Sequence, residues 1–307
     1  MSQSIAVLGA GGFIGQHLIR ALGRSGERPM ALIRPDQTPN ADAAESLSGF
    51  FIDPQEFEPV LAKARVIVHA ASSSTPGATQ GAPLSELELN MKPTLALLQA
   101  LQKAPHCRLL YLSSGGTLYG DAASEAVKES QSLLPKSYYG AGKAAAEHFI
   151  HAASVQFGLR ATILRPSNLY GPGQMVKKGF GIIPAVFQCA RNNTPLTVWG
   201  DGTAVRDYLY IDDFIDLCQT VIQTPMDTPV QAFNASSGAG VDLKTLIALI
   251  CTSIGAQVPV RFEATRTIDV SRIVLDPTKA MRTYDWRATT SLSDGIRSSW
   301  EWWRTQA

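Results

Sequence analysis

The 307-residue chain is 45% hydrophobic with a formal net charge of +1: long enough for a large core, and too nearly neutral to grip nucleic acid or a membrane surface by bulk charge. Its cysteines, Cys107, Cys189, Cys218 and Cys251, form no C-x-x-C pair, and three lie in apolar runs, which argues for buried thiols in a reducing, cytoplasmic compartment. No apolar run approaches the length of a membrane span, and a strand starting near residue 5 leaves no room for a signal peptide.

Ile5-Ala6-Val7-Leu8 predicts a short buried strand of a parallel sheet. Gly9, Gly11, Gly12 and Gly15 follow, and Phe13, Ile14, Leu18, Ile19 and Leu22 then recur at helical spacing. Strand, glycine turn and helix is an arrangement that holds a dinucleotide pyrophosphate, because glycine admits the phosphates and the helix start offers free N–H groups. The spacing Gly9-x-x-Gly12-x-x-Gly15 is one residue wider than G-x-G-x-x-G, and a turn of this kind alone also occurs where nothing binds.

Further strands are predicted at 30–33, 50–52, 66–68, 108–112 and 161–164, and helices at 54–62, 84–103 and 139–157. This alternation predicts an α/β fold with a doubly wound, parallel Rossmann-type sheet. After Arg165-Pro166 the pattern breaks. Gly171, Pro172, Gly173, Gly179, Gly181 and Pro184 interrupt the chain, and helices are expected near 211–223, 242–254 and 292–303. The expected division is a dinucleotide-binding domain over 1–167 and a smaller lobe over 168–307, with parts of 206–235 returning to the first, and the lobe lying over the carboxyl edge of the sheet.

Tyr139 and Lys143 are one helical turn apart and share a face. A free tyrosine, with a pKa of about 10, is a poor base near neutrality, and an adjacent ammonium lowers it by roughly 1–3 units. Y-x-x-x-K also arises by chance on solvated helices; its place between the fifth and sixth strands makes it specific. His69 ends a strand with no second ligand at useful spacing, so a core histidine is expected and no metal.

Read in order, Gly9-Ala-Gly-Gly12-Phe-Ile-Gly15, Val68-His69-Ala70-Ala71, Asn90-Met91, Ser113-Ser114-Gly115-Gly116-Thr117-Leu118-Tyr119-Gly120, Tyr139-Gly-Ala-Gly-Lys143, Arg165-Pro166-Ser167-Asn168-Leu169-Tyr170-Gly171-Pro172-Gly173, Gly200-Asp-Gly-Thr-Ala-Val-Arg206-Asp207-Tyr208, Asp212-Asp213 and a terminal Trp286…Gly295-Ile296…Trp300 run nearly the whole length. The chain thereby resembles the extended short-chain dehydrogenase/reductases of the nucleotide-sugar epimerase/dehydratase group.

The resemblance implies Tyr139 as the acid/base at a sugar hydroxyl and Lys143 as the residue that holds the nicotinamide ribose and tunes it. Many relatives place a Ser or Thr at the position of Gly115, so the third hydroxyl falls to Ser114 or Thr117, and the sequence does not choose. Gly116 and Thr117 replace the Asp-Glu pair that 4,6-dehydration needs, which argues against a dehydratase. Gly9, Gly12, Phe13, Ile14, Gly15, Arg34, Ala70, Ala71, Asn90, Ser113 and Pro166 are implied at the cofactor, NAD or NADP. Ser72, Ser114, Asn168, Arg206 and Arg266 are implied at a nucleoside-diphosphate sugar, arginine forks suiting phosphate oxygens. Arg266-Thr-Ile-Asp269 departs from the usual R-x-G-D. Trp286, Trp300, Trp302 and Trp303 read as packing.

The expected activity is a nucleotide-sugar 4-epimerase acting through a tightly bound nicotinamide cofactor. The alternative is an NAD(P)H-dependent reductase of a nucleotide 4-keto sugar, favoured by Arg34, 19 residues after Gly15, where an arginine accommodates a 2′-phosphate. A non-catalytic dinucleotide sensor is disfavoured by the intact Tyr139/Lys143 pair. The resemblance also implies a homodimer built on the helices near 84–104 and 138–157.

Overall fold

A computed structural model describes residues 4–121, 125–176 and 181–306; Gly179 lies outside them. Seven parallel strands form one sheet: β1 (Ser4–Leu8), β2 (Pro29–Ile33), β3 (Glu45–Ser48), β4 (Ala64–His69), β5 (Arg108–Leu112), β6 (Ala161–Pro166) and β7 (Val230–Ala235). Their spatial order is 7-6-5-4-1-2-3. Order reverses between β1 and β4, so a crevice opens at their carboxyl ends, where doubly wound sheets bind ligands.

Side chains alternate along the strands and feed two cores. Ile5, Val7, Val66, Val68, Leu110 and Leu112 join α1 (Phe13–Arg24) and α4 (Ile211–Gln223) on one face. Ala6, Leu8, Ile67, Leu109, Tyr111 and Ile163 join the helix over 83–101, here α2, and α3 (Tyr138–Phe157) on the other. On α1, Leu18, Ile19 and Leu22 are fully covered, each worth about 1.5–3 kcal/mol of burial. The core under α1 and α4 continues into Leu246, Ile250 and Trp303.

Residues far along the chain complete the sheet. β7 pairs with β6, Phe233 opposite Leu164. The last turn of α4 is capped from the sheet's amino edge: Arg108 donates to the carbonyls of Ile222 at 2.6 Å and Thr224 at 2.8 Å, and Arg65 to Ile222 at 3.3 Å. Cations there answer the negative end of the helix dipole.

Four elements differ from expectation. The third strand is Glu45–Ser48, not 50–52; as an exposed edge strand it needs no apolar run. Phe51 instead sits at φ +54 and packs on Phe57 with ring centroids 5.5 Å apart. The helix over 54–62 is a 3₁₀ turn, Pro54–Phe57, then Glu58–Leu61; Pro59 lacks the N–H that would join them. Helices at Ile182–Asn192 and Thr278–Tyr284 were not foreseen. Pro184 falls in the first turn of the former, where no intrahelical N–H is required.

α2 is continuous but uneven. Pro83–Glu86 and Lys92–Leu101 are α-helical, and Leu87–Met91 between them is a π turn. Pro93 cannot donate to the carbonyl one α turn back, and the wider turn lies directly upstream of it, the position at which such bulges gather near functional groups.

Candidate active site

The glycine turn follows β1 into the crevice. Gly9, at φ +87, lies so near the exit of β4 that a Cβ would stand 2.6 Å from Ala71 Cα; any side chain would close the floor. The N-cap of α1 is Gly12, which has no side chain for the first helical N–H groups. Open floor and unfilled helix start fit a dinucleotide pyrophosphate. Arg34, at the end of β2, projects into solvent with Nε 3.3 Å from Asp36, while its N–H donates to Gln37, whose side chain lies over Gly11.

β5 delivers Ser113 and Ser114 to the carboxyl edge. Ser113 Oγ donates to Glu147 at 2.6 Å, and Glu147 is gripped by Arg165 Nε at 3.1 Å to both of its oxygens. Arg165 Nη1 donates to Tyr119 Oη at 2.7 Å, and Tyr119 donates to Asn234 Oδ1 of β7 at 2.8 Å. All of these side chains are buried. Ser114 N-caps a four-residue helical turn, Gly115–Leu118. Gly115 stands where many relatives carry a hydroxyl, and a Cβ there would run into Leu275 and come within 2.9 Å of the Arg165 carbonyl.

α3 is N-capped by Ser137, whose Oγ accepts from Gly140 N at 3.1 Å, so Tyr139 and Lys143 share its first turns. Thr117 Oγ1 donates to Ser114 Oγ at 2.9 Å, and the hydroxyls of Ser114 and Ser72 both support the Tyr139 oxygen. The sequence left Ser114 and Thr117 open; in the fold the two hydroxyls bond each other and both line one cavity with Tyr139. Lys143 Nζ is buried and donates to the Leu112 carbonyl at 2.8 Å. It lies 4.9 Å from the Tyr111 ring centroid and 6.0 Å from that of Tyr139.

The electrostatics differ from expectation. Burial holds the Tyr139 phenol above its usual pKa, Glu86 adds to the rise, and Ser114 and Ser72 oppose it; the Lys143 ammonium donates to the Leu112 carbonyl. Burial also pulls Lys143 down to about 8 against the opposing fields of Glu86 and Glu147. His69 is lowered to about 3, by burial first and by Lys143 second, and its Nε2 meets Thr94 Oγ1 at 3.0 Å. It is a neutral core histidine, and among the described residues no group of three potential ligands could hold a metal.

Sequence reasoning passed over Glu86 although it stands four residues before Asn90. It is 4% exposed. Ser74 Oγ donates to its Oε2 at 2.6 Å and Asn90 Nδ2 to its Oε1 at 2.8 Å. Asn90 also donates to Ser74 Oγ at 2.7 Å and accepts from Ser73 N at 2.9 Å, pinning the loop after β4. Glu147 and Arg165 were passed over too; Glu147 follows Lys143 by one turn.

A cavity of about 260 Å³ gathers Phe13 and Ile14 from α1, Ser113, Ser114, Thr117, Tyr139 and Pro166 from the sheet side, and Asn168 and Arg206 from beyond it. A second, of about 330 Å³, shares Asn168 and Arg206 and is walled by Tyr170, Ile182, Val198, Trp199 and Tyr208. Arg206 is largely buried, which lowers its pKa, and it donates to the Val205 carbonyl at 2.9 Å. Asn168 Nδ2 donates to Asp207 O at 3.1 Å. Arg266 lines neither cavity: it pairs with Asp269 at 2.6 and 2.9 Å and lies 4.1 Å from the centroid of Trp199. Trp286 and Trp303 are buried packing groups. No described helix is long and apolar enough to cross a membrane.

The family model for "NAD dependent epimerase/dehydratase family" matches residues 5–236. The chain is 27% identical to a UDP-glucose 4-epimerase of Mycolicibacterium smegmatis, covering 98% of each, and 26% identical to a dTDP-4-dehydro-6-deoxyglucose reductase of Escherichia coli, covering 95% of each. Among solved structures, UDP-glucose 4-epimerase of Thermotoga maritima with UDP-glucose is 25% identical with a TM-score of 0.91, covering 99% of both chains. The Thermus thermophilus UDP-glucose 4-epimerase complex with NAD is also 25% identical with a TM-score of 0.91, covering 99% of this chain and all of that one.

Proposed function

The chain belongs to the NAD dependent epimerase/dehydratase family, and from that premise we propose that it is a nucleotide-sugar 4-epimerase working by transient oxidation at C4. The observation that carries this is one cavity holding the start of α1, the Ser114–Tyr139 pair and Arg206 together: a cofactor end, an acid/base and an anion grip.

Bound in the crevice, the nicotinamide ring supplies reversible hydride storage. Gly9, Gly12, Phe13, Ile14 and Gly15 would seat the pyrophosphate on the α1 N–H groups. Ala70, Ala71, Asn90, Ser113 and Pro166 would frame the ring and its ribose, and Lys143 would hold that ribose. Tyr139 takes the proton of the C4 hydroxyl and, once the keto sugar has turned its other face to the ring, returns it to the same oxygen, while Ser114, fed by Thr117, donates to the substrate oxygen. Ser72 positions the sugar, and Asn168 the diphosphate. Arg206 meets the diphosphate with a partly covered guanidinium, and Arg266 lies behind Trp199. A net reductase is the second reading, favoured by Arg34, whose outward guanidinium at the end of β2 suits the 2′-phosphate of NADP.

We further assign residues 1–167 with 206–235 to the cofactor and the rest mainly to the substrate, and place the protein in the cytoplasm. A homodimer through α2 and α3 is supported by their exposed Leu84, Leu87 and Phe149, apolar groups without cover in the monomer.

The test is to release and identify any bound cofactor, then incubate the protein with UDP-, GDP- and dTDP-hexoses while following reduced-nicotinamide absorbance. Interconversion without net absorbance change is expected. Stoichiometric NADPH consumption with a 4-keto sugar would turn the assignment to reductase. Tyr139→Phe should slow turnover by about 10²–10⁴, and full activity in that variant would end both readings.

A further inference from the structure

Two buried carboxylates flank Lys143, and they are not equivalent. Glu147 is spent on Arg165, which grips both of its oxygens. Glu86 receives neutral donors only among the described residues: Ser74 Oγ at 2.6 Å and Asn90 Nδ2 at 2.8 Å. A buried carboxylate without its own cation is costly, and an apolar side chain of similar size would hold the fold more cheaply. Its place is defined from three sides. Below is the π turn that begins one residue after it; to one side is the loop after β4; above is the first turn of α3. Gly142, between Tyr139 and Lys143 in the chain, is the contact: a Cβ there would lie 2.7 Å from Glu86 Oε1. The glycine is what lets the carboxylate reach under the Tyr–Lys turn.

We propose that Glu86 is a positioning residue of this site, the fixed negative charge, clamped by Ser74 and Asn90 against Gly142, against which Tyr139 and Lys143 hold and exchange their protons. The inference rests on the acid/base reading of that pair. The groups that face it are Tyr139 and Lys143 from α3 and Tyr111 from β5, with Ser74 from the loop after β4 and Asn90 from its own helix; Glu147 and His69 reach it through Lys143. Its field raises both Tyr139 and Lys143, so it keeps the buried lysine charged while delaying loss of the phenolic proton. Removing that charge therefore moves the Tyr139 and Lys143 titrations toward acid together.

The experiment is the pH profile of kcat/KM for the parent, Glu86→Gln, Glu86→Met and Glu86→Asp, with the folded fraction of each checked by thermal unfolding. Both neutral variants should slide both limbs toward acid by about one unit, the size expected from losing one nearby charge, while Glu86→Asp keeps the parent profile. Methionine asks for no hydrogen bond and leaves Asn90 paired to Ser74, so it carries the test if the amide variant does not fold. A second readout needs no turnover: phenolate absorbance of the free protein, minus that of the matching Tyr139→Phe derivative, should show Tyr139 ionising about one unit lower in the neutral variants. Uniform loss of activity at every pH with Tyr139 titrating as in the parent would overturn the proposal, as would failure of both neutral variants to fold. If the parent converts no nucleotide sugar but the phenolate shift appears, the functional reading fails and Glu86 keeps its role.

Discussion

The two walls of the central cavity are prepared in opposite ways. On the sheet side the polar groups are bonded in advance: Thr117 to Ser114, Ser113 to Glu147, Glu147 to Arg165, Arg165 to Tyr119 and Tyr119 to Asn234. On the far side Arg206 makes one hydrogen bond among the described residues, to the carbonyl of its own neighbour, and the rest of its fork is free. A fully satisfied buried network is rigid; a buried guanidinium with donors to spare gains most when an anion arrives. Folding completes the first wall, and a ligand completes the second.

Substitutions that attack each wall separate these roles. The largest effect is expected from Arg165→Met, which strands Glu147 and loosens Ser113 and Tyr119 at once. Breaking one partner of a buried pair costs about 3–5 kcal/mol, so thermal and denaturant unfolding should both register it with or without ligand. Arg206→Ala should leave the unfolding curve of the free protein nearly in place while raising KM for the nucleotide sugar about thirtyfold, the worth of about 2 kcal/mol for charge-assisted hydrogen bonds. Equal loss of stability in the two variants would erase the distinction. The smallest effect tests the relay: Thr117→Ala, which removes only the donor behind Ser114, should lower kcat about fivefold, near the 1 kcal/mol of one neutral hydrogen bond, and Ser114→Ala should cost more. Reversal of that order would put Thr117 at the substrate.

Much of this was legible in the residues. Alternating strands and helices gave the doubly wound sheet, since the inner strands β1, β2, β4, β5 and β6 are short apolar runs and the helices between them keep their period. The glycine turn, Tyr139, Lys143 and Arg206 were found by motif. What escaped depends on distant partners. An edge strand such as Glu45–Ser48 has no apolar signature. The Tyr139 phenol is raised, where the Lys143 spacing predicts a lowering, because it is buried, and helical spacing does not announce the depth of a side chain. Glu86 drew no notice in the sequence; the π turn and the space at Gly142 bring it beneath α3. That Ser114 and Thr117 bond each other beside the cavity depends on the short turn after β5, which their spacing alone does not disclose.

The pairing of β7 with β6 has a consequence for how the protein is made. As the chain leaves the ribosome, residues 4–166 can set out six strands, yet the outer edge of β6 keeps its row of N–H and C=O groups unpaired until Val230–Ala235 has emerged. The carbonyls that Arg65 and Arg108 cap, at Ile222 and Thr224, come late as well. Until then the nascent chain presents an open parallel edge, the kind of surface that pairs with a neighbour and aggregates. Chaperone holdases should therefore engage this protein longest while residues 167–235 are being translated.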